Sequence, residues 1–276
     1  MDFTLPRAAT GRRGFPKEAM VCAFIVMKCE GFAQITDLMD YLDNNRLIVH
    51  YCGFNIMEPL PSYWTYDRFL RQLDNTGLKS VMADLVRQLY ELGIVDTSFI
   101  GLDSTPVMAN TKQNNPKSFA KNKFSKENHP KSDPDCALGV HSASNQHNER
   151  RYEFYWGYKS HVLVDCISGL PLYELTTPGN IADSAVAAEI LAAADQTISL
   201  KECAFLFKRT YALRTECERY NSRFKSTGQE RLWVRNGTSA ATLNTLAHIS
   251  ALTVALTAVL HGFHSYRSAK QLRRSA

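Results

Sequence analysis

Residues 151–180, RYEFYWGYKSHVLVDCISGLPLYELTTPGN, decide the fold. Two runs rich in aromatic and β-branched residues, RYEFYWGYKSHVLVD and LPLYELTTPGN, flank Ile167-Ser168-Gly169. Such runs on either side of a short Gly-containing turn predict a β-hairpin. Upstream, Thr97 to Leu102 (TSFIGL) is a shorter β-type run that delivers Asp103 at its end, before Ser104 and Thr105. The three runs together give the chain a β-rich segment. Much of the rest of the chain carries helical spacing, so the class expected is α+β.

The first 95 or so residues read as all helical. Pro16 opens a buried helix over KEAMVCAFIVMKCEGF that ends near Gly31, and Thr36 caps a second over 36–44. Residues 50–62 form a turn-rich connection with Gly53, Pro59 and Pro61. Further helices are expected from about Thr65 and from Lys79 to Leu92. This opening has the size of a helix-turn-helix module, and an oligomerisation bundle fits it equally. Past the hairpin, an Ala-rich helix over 184–194 has Asp183 as its cap, and Glu202 to Phe207 (ECAFLF) reads as a further strand. Apolar helices from about Ser239 to Leu260 are expected to pack over the sheet. Polar His248 and several Thr and Ser residues within them favour burial over a membrane span.

A net charge of +5 and pI near 8.8 are mildly basic, which suits nucleic acid without requiring it. The seven cysteines show no CxxC spacing, arguing against a disulfide framework and against a thiolate zinc site. MDFTLPRAATGRR lacks the apolar core of a signal peptide. Residues 110–150 form a polar insertion with six lysines from Lys112 to Lys131. Two readings fit it: a loop whose lysines track a DNA backbone, and a solvated loop. On the helical segment 65–72, Arg68 and Arg71 stand one turn apart, as phosphate contacts or as a solvated basic face.

YALRTECERYNSRFK, residues 211–225, reads as one amphipathic helix. At about 100° per residue, Tyr211, Arg214, Glu218 and Lys225 fall within roughly 60° of one another. Leu213, Cys217, Tyr220 and Phe224 make a separate apolar stripe. Periodicity alone allows an ordinary amphipathic helix. It also allows a rigid helix carrying Glu218 to a metal, with flanking cations for phosphates.

The spacing Tyr-x2-Arg-x3-Glu-x6-Lys resembles the signature around the last acidic residue of bacterial insertion-sequence transposases with an RNase H-like DDE domain. The strand followed by Asp103-Ser-Thr, the run GYKSHVLVD...SGLPL...TTPGNIADS, and the order GRRGFPKEAMVCAFIV, YCGFN, PLPSYWTYDRFLRQL are similar to that family too. The resemblance implies an N-terminal domain over 1–95 that binds terminal repeats. It implies an RNase H-like catalytic domain over 96–276, with a mixed β-sheet packed by helices. In it, Asp103 and Glu218 would bind two Mg²⁺ or Mn²⁺ ions for cleavage and strand transfer. Tyr211, Arg214, Lys225, Lys159, His161, Arg68 and Arg71 are the DNA contacts implied. The partners implied are element ends and target DNA, engaged by a homodimer in the bacterial cytoplasm at the nucleoid, with no membrane.

One departure stands out. The family's middle Asp follows the fourth strand in a run resembling hydrophobic-Asp-Gly-Tyr-Asp, whereas ECAFLF passes directly into KRTYALRTE. An internal deletion accounts for this, and it leaves two expectations: a transposase, here catalytically defective, or a DNA-binding remnant that competes with an intact one. Asp195 is the nearest substitute by sequence, and Asp165 and Asp183 are others. Asp195 is expected at the amino end of the fourth strand, the wrong end of the sheet to meet Asp103. Asp165 and Asp183 are turn and cap candidates with the same difficulty.

Overall fold

One long strand organises the sheet. The computed structural model describes residues 14–118, 121–144, 150–200 and 207–263, with backbone alone at 142–144, 150–151 and 207–214. β3 (Arg150–Asp165) pairs through its second half with β1 (Ile100–Met108) and β4 (Leu170–Pro178), and through its first half with β2 (Ala137–Ser144). The four strands among the described residues pair antiparallel. The strand expected at 202–207 lies outside the described residues except for Phe207, which is helical.

The β3–β4 hairpin forms as its sequence dictates. Gly169 turns with φ +70°, a region open to Gly, and Asp165 saturates the turn. The Asp165 carboxylate accepts from Asp96 N, Ile167 N, Ser168 N and Ser168 Oγ. At Gly157, β3 changes partners, and the neighbouring backbone closes in. A Cβ there would stand 2.2 Å from the Val107 carbonyl oxygen. Gly157→Ala must therefore push β1 away, and a loss of about 1–3 kcal/mol in denaturant unfolding is expected. A neutral result would mean that β1 moves freely against β3.

Side chains alternate across β3, and each face has its own cover. On one face, buried His161 meets α6 (Asp183–Thr197) and Lys159 donates to the Ile181 carbonyl. On the other, Ser160 Oγ lies 3.0 Å from His248 Nε2 on α8 (Gly237–Leu260). Glu174 and Thr176 of β4 bond Thr245 and Asn244 of the same helix. α7 (Phe207–Phe224) lies beside α8, with Tyr220 donating to or accepting from His248 Nδ1 at 2.6 Å.

Among the described residues, five helices precede the sheet: α1 (Lys17–Glu30), α2 (Ile35–Asn44), α3 (Arg46–Cys52), α4 (Tyr63–Gln72) and α5 (Asn75–Glu91). Three of them, α1, α4 and α5, pack directly on α8. That helix is thus covered by the sheet on one side and by helices on the other, which explains why its residues are apolar nearly all round. It is long and apolar enough to cross a membrane, yet 61% of its most apolar window is buried within the fold. Residues of 1–95 and of 96–276 share one hydrophobic core.

Local expectations needed correction. β1 does not stop before Asp103 but runs five residues beyond it, because Val107 continues the buried alternation. α3 occupies the start of the connection expected to be turns, ended by Gly53 at φ +93°. Thr36 lies inside α2 rather than capping it, and Asp183 is the first residue of α6 rather than its cap.

The 110–150 insertion contains β2 and a loop tied to the sheet. Asn114 donates to the Ala109 and Trp156 carbonyls and accepts from Trp156 N, so one side-chain amide extends β1's pairing with β3. Trp156 Nε1 donates to the Lys123 carbonyl, and Tyr158 OH donates to Asp133. Asp135 accepts from Gly237 N at the start of α8.

Candidate functional site

Asp103 sits in the middle of β1, opposite Val162, half-buried and facing α7. The residue it meets there is Asn221, whose Nδ2 donates to Asp103 Oδ2 at 2.8 Å. Helix geometry explains this pairing. Cys217, Tyr220 and Phe224 are buried, so α7 is rolled with that stripe inward. Asn221 lies about 60° around the helix from Glu218, towards the stripe, and is 8% exposed. Glu218 lies farther out and is exposed. The spacing that defines the Tyr211 face also places Asn221 on its inner border, a signal present in the sequence but not drawn from it.

The other carboxylates near α7 and the sheet are engaged in holding structure. Buried Glu216 pairs with Arg219 one turn on. Of the three substitutes for a middle Asp, Asp165 closes the hairpin turn and Asp183 pairs with His161. Asp195 accepts from Leu200 N. Among the described residues, no three His, Cys, Asp or Glu side chains come together as a metal site. A two-ion site needs several carboxylate oxygens converging on one point. The described residues do not supply that set for Mg²⁺ or Mn²⁺.

The remaining expected contacts fall in different places. Arg68 and Arg71 are both exposed on α4, and Arg71 Nη2 lies 2.8 Å from Asp67 Oδ2. Lys225 is half-buried in the π-type turn Lys225–Gln229 that follows α7. The side chains of Tyr211 and Arg214 lie outside the described residues. Lys159 is half-buried with its ammonium on the Ile181 carbonyl.

His161 lies in the interior of the fold. It is fully buried, with Nδ1 2.9 Å from Asp183 Oδ1 and Nε2 2.8 Å from Thr177 Oγ1. Burial pushes its pKa down against the pull of Asp183. The imidazole thus faces Asp183 and Thr177 inside the fold rather than the surface.

Elsewhere, a cleft of about 340 Å³ opens between α1, the 225–229 turn and α8. Lys28, Tyr220, Arg223 and Phe224 line it, and Asp103 and Glu218 do not. Buried Lys28 begins a polar chain through Gln229, Asn244 and Thr176 to Glu174. Burial raises the Glu174 pKa.

The strongest surface feature is the insertion loop. Lys112, Lys117, Lys121, Lys126 and Lys131 are all exposed along it, and Lys123 is half-buried. Packing against Trp156 and Tyr158 gives these cations a fixed base on the sheet. No protein-family model, curated protein or solved structure matches the chain.

Proposed function

We propose that this chain is a DNA-binding derivative of an insertion-sequence transposase, with a truncated RNase H-like core that binds element ends without cutting them. The observation that carries this reading is the seating of α7 against β1 through Asn221 and Asp103. That contact brings the helix bearing the Tyr-Arg-Glu-Lys pattern to the strand bearing the first Asp, as the resemblance requires. The same contact disfavours catalysis, because an amide occupies the Asp103 oxygen while Glu218 faces solvent. The missing middle Asp points the same way.

DNA binding then rests on cations: the insertion lysines, Arg68 and Arg71, with Arg214 in the sequence of α7 and Lys225 just past its end. Phosphate contacts of this kind give affinity that falls steeply with salt. Bound to element ends, the chain would compete with an intact transposase for the same sites.

The test pairs binding with cleavage. Duplexes carrying the flanking element ends are compared with scrambled duplexes by fluorescence anisotropy across a salt series. A supercoiled plasmid carrying the ends is incubated with Mn²⁺ in parallel. End-selective, salt-sensitive binding without nicking is expected, unchanged in Asp103→Ala and Glu218→Ala. Lys225→Ala should lower the salt slope by about 1. Nicking that disappears in Asp103→Ala would restore the catalytic reading, and equal affinity for scrambled duplexes would remove end recognition.

A further inference from the structure

The even-numbered face of β3 is covered in order along its length. Ser160 lies under α8, and Trp156 and Tyr158 lie under the insertion loop. Among the described residues the cover stops there. Phe154 and Tyr152, the next two residues on that face, are 50% and 57% exposed. Val140, directly opposite Phe154 on β2, is 49% exposed. Three large apolar side chains thus stand together on a two-stranded ribbon, at the margin of the loop that carries the lysines.

Scattered exposed apolar residues need no explanation, but an aromatic pair on one strand beside a cationic loop is a specific combination. Aromatic faces accept unpaired bases by stacking, and nearby lysines follow the backbone. Paired bases are already stacked on each other and present no free face to Tyr152 or Phe154. A rigid base for the platform is supplied by the indole of Trp156, which ties the loop to the same strand two residues from Phe154.

We infer that Tyr152 and Phe154, with the exposed lysines of the 112–131 loop, form a stacking ledge for an unpaired nucleic-acid strand. This deepens the nucleic-acid-binding reading and rests on it. Backbone charge brings the strand to the loop, and successive bases stack on the two rings. Sequence preference at the ledge is weak, since every base has a π-face.

The probe is a fluorescein-labelled oligothymidylate of about 15 nucleotides, followed by anisotropy beside the element-end duplex. Tyr152→Ala and Phe154→Ala are each expected to weaken oligothymidylate binding by roughly 5- to 150-fold. Duplex binding should stay at the wild-type level in both. Tyr152→Phe and Phe154→Tyr should retain single-strand binding, because the ring rather than the hydroxyl carries it. Single-strand binding unchanged in the double alanine variant would overturn the inference. So would a double variant that only lowers the oligomeric state in sedimentation, since the face would then be covered by a second copy. Lost duplex binding in the wild type with oligothymidylate binding intact would overturn the end-binding reading and leave the ledge standing.

Discussion

Raising the pH from 7 to 9 is expected to stabilise the fold by about 2 kcal/mol through Lys28 alone. Lys28 is 1% exposed, and its ammonium has the neutral Gln229 amide oxygen as acceptor at 2.7 Å. Burial pushes its pKa down from 10.5 to about 7. Between those two values the unfolded chain holds a proton that the folded chain has released, so stability rises with pH. Below the folded value both states are protonated, and the penalty of burying the charge is present in full. Lys28→Met removes the titration while keeping most of the volume. Urea unfolding at pH 7, 8 and 9 should show the variant's advantage over wild type shrinking by about 2 kcal/mol across the series. A constant difference would mean that the folded amine keeps its proton.

Trp156→Ala is expected to destabilise by about 3–5 kcal/mol, the usual range for deleting a buried large aromatic. The indole is 1% exposed, meets the His129 ring edge-on at 5.0 Å, and bonds the Lys123 carbonyl. Trp156→Phe separates these parts. It keeps most of the apolar contact and loses the hydrogen bond, for about 1–2 kcal/mol. Trypsin supplies a second readout, since the freed Lys123 carbonyl loosens a segment rich in cleavage sites. Faster cutting after Lys121, Lys123 and Lys126 should accompany even the mild variant. A loss below about 1 kcal/mol in Trp156→Ala would mean that the loop does not pack on the sheet.

The β3–β4 hairpin was legible because alternation and turn chemistry agree within a few residues. The same holds for α1, ended by Gly31, and for the buried stripe Cys217, Tyr220 and Phe224. β2 was not legible: ALGVHSAS is short, carries small residues, and sits inside a polar segment, so its strand state comes from pairing with β3 rather than from propensity. α3 was hidden for a similar reason, since RLIVHYC has β-type residues and is helical through packing against α1 and α2. At the candidate site, the identity of Asp103 and of the α7 helix could be read. The roll of α7, which substitutes Asn221 for Glu218 beside Asp103, depends on how deep the apolar stripe sinks. The role of Asn114 as a stand-in for a strand residue has no signal in local sequence at all.

The placement of α8 between the sheet and the N-terminal helices sets an order of events during synthesis. Lys28 and its partner Gln229 are 201 positions apart, and α8 follows Gln229. At elongation rates of about 5–20 residues per second, α1 waits roughly 10–40 s for Gln229 and the α8 surface it packs on. Throughout that interval α1 has α2, α3 and α4 as neighbours, and its α8-facing side stays uncovered. The interval before α8 emerges is thus the one in which apolar surface of the nascent chain is open to wrong partners.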